Sequence, residues 1–302
     1  MTAEQGDDAA LAREFEALRP RLMRVAYATT GSLAEAEDCV QEAWLRLQRA
    51  ERDTIRNLSA WLITAVSRLA LDALDRERVR RKHHAGPWLP EPVVESLADP
   101  ADPADRVTLD ESVSMALLIV LEALTPAERI AFLLHDVFGL PFDDISGVVG
   151  RPATAVRQLA SRARRRVRED RPHLTQTRTR QRDLLDAFTQ ACAEGDMERL
   201  VTLLDPDVVW RADGGAVRAE PRLARGASRI AGLIVVYARR PHLELRKVLV
   251  NGAPGLIVRD ADGILSVLAL TLDAGRVIAI DVVRDPEKLM RVEEALARAR
   301  GE

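Results

Sequence analysis

The hydrophobic period of this chain changes once, and that change limits the folds open to it. Up to about residue 171 the apolar residues recur every three or four positions, as they do on helix faces. After "RPHLTQTRTRQ" comes one more helical run, "RDLLDAFTQACAEGDMERLVTLL", which reads as one or two helices. Strand-like runs then follow one another: "VVWRA", "LELRKVLV", "GLIVRD", "ILSVLAL" and "RVIAIDVV". Turn signals at Asp262-Gly263 and Asp273-Ala274-Gly275 separate them, and the helical "PEKLMRVEEALARA" comes last. The helical half is itself interrupted by "GPWLPEPVVESLADPADPADRV", which is Pro-rich, acidic and without periodicity. The chain therefore reads as multidomain: two all-α modules, the second with a helix-turn-helix, followed by an α+β module. The expected bounds are 8–83, a linker at 84–108, 109–172 and 181–302.

Several classes are set aside by simple features. Cys39 and Cys192 stand alone in helical patterns, which argues against a disulfide framework and for a reducing compartment. The start "MTAEQGDDAALAREFE" lacks the apolar core of a signal peptide, and no apolar run approaches a membrane span. A cytoplasmic protein without membrane contact is expected. His83, His84, His135 and His173 show no metal-ligand spacing with acids or cysteines, so neither metal nor cofactor is expected.

Charge is informative only locally. The formal net charge is −3, but residues 109–150 carry Asp110, Glu111, Glu122, Glu128, Asp136, Asp143 and Asp144 against Arg129 alone. Residues 151–168 carry Arg151, Arg157, Arg162, Arg164, Arg165, Arg166 and Arg168 against no acid. Such a reversal points to a polyanion partner for one element. That element follows "LTPAERIAFLLHDVFGL", where Thr125, Pro126 and Glu128 mark a capped helix start, and "PFDDISGVVG", a short helix with a turn at Gly150-Arg151. In the next helix Val156, Leu159, Ala160, Ala163 and Val167 form a buried stripe. Arg151, Thr154, Arg157, Gln158, Ser161, Arg162 and Arg165 lie off it. A helix seated in the major groove needs this division, with polar readers near its start and cations further along.

Two earlier blocks also carry chemistry. "GSLAEAEDCVQEAWLRLQRA" opens with Ser32 and Glu35 at capping-box spacing. Its apolar face is Leu33, Ala36, Val40, Ala43, Trp44 and Leu47, while Asp38, Gln41, Glu42 and Leu45 lie opposite. A leucine within a polar stripe suits a docked protein, although on this pattern alone a solvated face with one stray leucine is the more economical reading. Residues 51–58 form a polar loop feeding a basic helix, capped by Asn57 or Ser59. Arg52, Arg56, Arg68, Arg76 and Arg80 either hold a nucleic-acid strand or form an ordinary solvated face, two readings the residues alone leave open.

These three blocks, in this order, resemble the extracytoplasmic-function (ECF) sigma factors, the promoter-recognition subunits of bacterial RNA polymerase. The resemblance covers residues 11 to about 170. It implies that Asp38, Gln41, Glu42 and Leu45 bind the β′ clamp of the polymerase core, whose β and β′ subunits are the expected protein partners. It implies that the 51–58 loop and basic helix open and read the −10 element, with Asn57 joining the arginines as a contact, and that the helix-turn-helix reads the −35 element. Both double- and single-stranded promoter DNA are then bound. Arg151-Pro152 stands where the family often has a serine cap at the start of the recognition helix.

Residues 181–300 resemble a SnoaL-like (NTF2-like) domain, a cone of curved sheet with helices across its mouth. With this appendage the chain is similar to the SigJ-like subgroup of ECF factors. Three motifs support that: Trp88, Leu89, Pro90, Glu91 and Pro92 as "WLPEP"; Asp213, Gly214 and Gly215 of "DGGAV" against DGGGK; and Asp285, Pro286, Glu287, Lys288 and Leu289 as "DPEKL" against NPDKL. The resemblance makes these the regulatory contacts between domains. Pro87, Pro90 and Pro92 hold the backbone extended and present Trp88 as a preformed anchor. Trp88 is expected against Asp213–Gly215 or residues 285–289, with 93–107 left as an extended tether. Domains of this shape include cyclases and isomerases with acids or a His–Asp pair in an apolar cavity. Here Asp213, His242, Asp260 and Asp281 would be the acids and base, although Asp213 and His242 read more economically as turn residues. A small ligand in the cone, lined by Trp210 and Tyr237, is weighed as a further partner, although core packing is the more economical reading of both residues. Two other readings stay open: a one-component ligand-sensing DNA-binding regulator, and a SnoaL-type enzyme fused to a DNA-binding module.

Overall fold

The computed structural model describes residues 2–81, 86–96, 113–170, 178–215, 221–240 and 242–300. They form two compact units. One is drawn from Met1–Lys82 and Val120–Asp170, the other from His83–Pro100, Val113–Ile119 and Arg171–Glu302.

The first unit is helical. α1 (Thr2–Thr30), α2 (Leu33–Arg49) and α3 (Leu58–Arg81) pack pairwise. Gly31, at φ 73°, breaks the first helix, and Ser32 caps the second by accepting from Glu35 N. The predicted face of α2 is inward, with Ala36, Val40, Ala43 and Leu47 buried beside Leu22, Val25 and Tyr27 of α1. Trp44 stacks obliquely on Phe15 at 4.8 Å.

The same unit continues with the end of α4 (Met115–Leu121), then α5 (Pro126–Phe132), a π-helical turn (Leu133–Val137), α6 (Phe142–Val149) and α7 (Ala153–Asp170). The capping box of Thr125 and Glu128 forms as the spacing predicts. Gly150 ends α6 in the left-handed region, at φ 67° and ψ 30°, and sets the turn of the helix-turn-helix. α7 buries Val156, Leu159, Ala160, Ala163 and Val167. Arg129, 2% exposed, ties these helices to the first three. It donates to Leu121 O at 3.1 Å, Thr29 O at 2.9 Å and Glu122 Oε1 at 2.5 Å.

The second unit is built on a seven-stranded sheet. Its strands are β1 (Val94–Ser96), β2 (Leu204–Asp213), β3 (Leu223–Arg225), β4 (Glu244–Val250), β5 (Ala253–Arg259), β6 (Leu265–Asp273) and β7 (Arg276–Val283), in the order β1-β4-β5-β6-β7-β2-β3. Neighbours are antiparallel except β2 and β7. The helical run before the sheet is two helices, α8 (Arg178–Glu194) and α9 (Met197–Leu203), parted by Gly195 at φ 65°. Alternation along the strands sends Val208, Trp210, Ala212, Leu256, Leu270, Ile280 and Val282 to one face, beneath α8, α9 and α10 (Ala227–Ala238). Val248, Val250, Ile257, Val267, Ala269 and Val283 face the other way, onto Leu289 and Val292 of α11 (Pro286–Arg300), Leu89 and Met115.

One expectation about the linker changes. Residues 94–96 are not tether: they pair as β1 with Val248–Val250 on the β4 edge. Of the expected 93–107 tether, residues 97–107 lie outside the described residues. Residues 113–119, the start of the expected second helical module, pack with the second unit. The stretch "VSMALLIVL" is apolar on every side, so its period assigns it to no one neighbour.

Candidate nucleic-acid interface and linker clamp

On α2, Asp38, Gln41 and Leu45 are exposed and Glu42 is half-buried, so the four share an outward stripe. Leu45 keeps 36% of its surface in solvent. Glu42 pairs with Arg46 one turn on, at 2.9 Å.

The basic helix is less free than its sequence suggests. Arg56 and Arg76 are exposed, and Arg76 turns back onto Asp72 O within its own helix. Asn57, read as a nucleic-acid contact, caps α3 by accepting from Ala60 N at 3.0 Å. Arg68 donates through Nη2 and Nε to Gly147 O of α6, at 2.6 and 3.1 Å. α3 packs on α6, which brings that carbonyl to Arg68. The side chains of Arg52 and Arg80 lie outside the described residues, as do His83, His84 and His173.

On α7 the expected outward set is outward. Arg151, Thr154, Arg157, Gln158, Ser161, Arg162 and Arg165 are all exposed. Pro152 precedes the helix, and its carbonyl accepts from Ala155 N and Val156 N in the first turn of α7. Arg157 lies 5.4 Å over the Phe142 ring, which stacks on His135 at 3.8 Å. The charge reversal read from the sequence is partly neutralised inside the unit. Arg162 pairs with Glu128 at 3.0 Å, and Arg164 grips Asp136 through two bonds of 2.8 and 3.1 Å. Burial alone would raise the Glu128 pKa, but hydrogen bonds from Thr125 and Arg162 outweigh it and lower it.

The "WLPEP" segment lies against the C-terminal module. Asp213, at the end of β2 and 1% exposed, accepts from Leu89 N at 2.8 Å and from Lys288 Nζ at 2.6 Å through the same Oδ2. Its Oδ1 accepts from Gly215 N at 3.2 Å. Lys288 also donates to Leu89 O at 2.6 Å, and its ammonium sits 4.1 Å from the Trp88 ring centroid. Leu89 is buried in the outer-face cluster, and Pro90, Glu91 and Pro92 are buried with it. Arg291 approaches Glu91 at 3.7 Å. Asp285 caps α11, accepting from Glu287 N and, through its carbonyl, from Leu289 N; Pro286 and Glu287 are exposed. Gly215 stands at φ 52°, where a β-carbon would collide with the Asp285 carboxylate, and Gly214 is buried. Burial by itself would raise the Asp213 pKa. The Lys288 charge and the Leu89 and Gly215 N–H groups outweigh it and hold the carboxyl below its ordinary value. Asp213 is thus a buried anchor rather than a turn residue.

Asn251 is a clamp residue that the sequence reading missed. At φ 51°, it accepts from Val93 N at 3.1 Å through Oδ1, donates its own N–H to Val93 O at 2.8 Å and reaches Val113 O at 3.5 Å. The signal was present as "NG" between two alternating runs, a two-residue hairpin turn.

Within the cone a cavity of about 90 Å³ is lined by Phe188, Trp210, Ile234, Tyr237, Leu268 and Arg284, among others. None of the four acids and bases weighed for catalysis is among its described lining residues. His242 is an exposed turn residue at φ 57°. Asp281 is buried and paired with Arg211 at 2.5 Å; burial pushes its pKa up further than Arg211 draws it down. It alternates with Ile280 and Val282, so it belongs to the face opposite the cavity. Asp260 bonds to Arg284 at 3.2 Å. Cys39 and Cys192 are free and buried, with burial raising both thiols to about 12. Among the described residues no group of three or more His, Cys, Asp or Glu side chains is placed to hold a metal, and no helix is long and apolar enough to cross a membrane.

Family models match two parts of the chain, Sigma-70 region 2 over residues 15–80 and Sigma-70, region 4 over residues 114–167. The chain is 38% identical over 288 residues to the ECF RNA polymerase sigma factor SigJ of Mycobacterium tuberculosis, covering 91% of this chain and 92% of that one. The chain belongs to the ECF RNA polymerase sigma factors. It is also 36% identical over 282 residues to the probable ECF RNA polymerase sigma factor SigI of the same organism, covering 91% and 93% of the two chains. The crystal structure of SigJ superposes with a TM-score of 0.76 over 92% of this ECF chain and 98% of that one.

Proposed function

We propose that this ECF sigma factor directs RNA polymerase core to specific promoters, and that its C-terminal module acts in cis, by gripping the linker between its promoter readers, rather than by catalysis. The outward stripe of Asp38, Gln41, Glu42 and Leu45 docks on core. Arg52, Arg56, Asn57, Arg68, Arg76 and Arg80 serve the −10 element, and the outward face of α7 serves the −35 element. One observation carries the regulatory part: Leu89 is held on both its N–H and its carbonyl, by Asp213 and Lys288, with Trp88 under the Lys288 ammonium. The "WLPEP" segment lies between the two readers in sequence, so whatever holds it fixes their tether. A fused module acts at an effective concentration on the order of millimolar, with no separate inhibitor needed. The Arg68 contact with Gly147 O adds that a −10 cation is engaged within the sigma modules themselves and must exchange partners to meet phosphate.

The test is reconstituted transcription with core polymerase and a promoter library, using the unmodified chain, Trp88→Ala and a chain lacking residues 285–302. Promoter-specific initiation that changes several-fold in both variants supports the reading. Initiation equal in all three sinks regulation in cis, and operator binding without core would favour the one-component regulator.

A further inference from the structure

We propose that the cavity of the C-terminal module binds a compact monocarboxylic acid with an apolar body, its carboxylate held by Arg284. This rests on the cavity alone, independently of the regulatory reading. The described walls are almost wholly apolar, with Phe188, Ile234, Leu256, Leu268 and Val282 surrounding the space. Arg284 is the charged residue among them, and it is only 8% exposed.

A guanidinium carries five N–H donors, and this one is poorly satisfied. Nη1 reaches Tyr237 Oη at 3.4 Å, Nη2 reaches Asp260 Oδ2 at 3.2 Å, and the buried Nε meets no acceptor among the described residues. Asp260 cannot neutralise it fully. Its Oδ1 accepts from Asp262 N and Ile264 N, and its Oδ2 also lies 4.0 Å from Arg240. Two cations therefore share one carboxylate, and the wall keeps an excess positive charge beside apolar surface. A monoanion with a planar, two-oxygen head fits a guanidinium fork. Phosphate would need more donors than these walls supply, and a cation would meet repulsion.

The remaining polar groups agree. The Trp210 indole N–H already donates to Pro221 O at 3.0 Å and asks for nothing from a ligand. Arg240 lies 4.3 Å over the Tyr237 ring, whose hydroxyl is 3.4 Å from Arg284 Nη1. Burial keeps the Cys192 thiol protonated, so no anion competes from the wall. As to size, a dry cavity of about 150 Å³ takes benzene. A space of about 90 Å³ admits a smaller body, a short branched chain rather than a ring.

The full-length chain is titrated at pH 7 with isovalerate and isobutyrate, each beside its neutral amide, by calorimetry. Each acid is expected to bind at least tenfold more tightly than its amide. Transferred NOEs from the isovalerate methyls to Ile234, Leu268 and Val282 methyl groups place it without any variant. In R284M/D260N, which removes the ion pair as a unit, the acid-to-amide ratio is expected to fall to within twofold of one. Absence of saturable acid binding, an acid no tighter than its amide, binding without those NOEs, or a preference that survives in R284M/D260N overturns the proposal.

Discussion

Replacing Asp213 by asparagine perturbs the linker clamp at the atom where its contacts converge. Oδ2 accepts from both Leu89 N and Lys288 Nζ, and the carboxylate is almost fully buried. Breaking a buried ion pair by removing one partner costs about 3–5 kcal/mol, because the other charge stays buried. Lys288 is 13% exposed and asparagine still offers Leu89 an acceptor, so the loss should sit below that range, at about 2–3 kcal/mol. Native-state hydrogen exchange at the Leu89 amide reads it directly, as a rate roughly 30- to 150-fold faster in Asp213→Asn. Adding Lys288→Met should recover part of the loss, since the orphaned charge goes with it. The sign of the pH dependence also follows. The Asp213 pKa is lowered in the fold, so the contribution is complete above its ordinary value of 3.8 and fades as pH falls through the folded-state value. Leu89 protection should be level from neutral pH to about 4 and decline below it. A Leu89 amide that exchanges at the unmodified rate in Asp213→Asn, or single losses that add within about 0.5 kcal/mol in the double variant, would refute the clamp.

Three further outcomes follow from features described above. Leu45→Asp should weaken binding to core polymerase at least tenfold in a fluorescence titration, while its melting temperature stays put, as for exposed surface changes within about 0.5 kcal/mol. Gly215→Ala should cost about 1–3 kcal/mol in thermal unfolding, because it combines φ 52° with a collision against the Asp285 carboxylate. Arg129→Met strips donors from Thr29 O, Leu121 O and Glu122, and denaturant unfolding should show a loss of about 3–5 kcal/mol; less than about 1 kcal/mol would mean that Arg129 does not tie the helices.

What could be read from the residues alone was local and periodic. The α2 face, the Thr125–Glu128 capping box, the α7 stripe and the change to strands each depend on spacings within one element. The stiffness of Pro87-Trp88-Leu89-Pro90 was legible for the same reason, since prolines fix φ wherever they stand. The rest depends on neighbours distant in sequence. Arg68 looks like any surface cation until Gly147 O is placed beside it, and Asn57 serves a cap before any nucleic acid. The Arg162–Glu128 and Arg164–Asp136 pairs turn an apparent polyanion signal into partial internal neutralisation. β1 has three residues, among them Glu95, and nothing in so short a stretch marks it as strand apart from the edge of β4 that receives it. Arg284 carries no motif; its meaning comes from the apolar walls around it.

The placement of β1 gives the linker a second role. β4 is guarded in two ways along its length: Glu244, Leu245, Arg246 and Lys247 are exposed and mostly charged, whereas Val248 and Val250 are buried. Charged residues discourage another strand from adding to the first half, and β1 covers the second half by pairing with Val248–Val250. Pulling the linker away therefore leaves an adhesive strip of unpaired backbone beside valines. A released state that lasts must put some other strand there, and one that does not will be brief or will self-associate. The same three residues that help hold the linker thus also keep the second half of the β4 edge from pairing elsewhere.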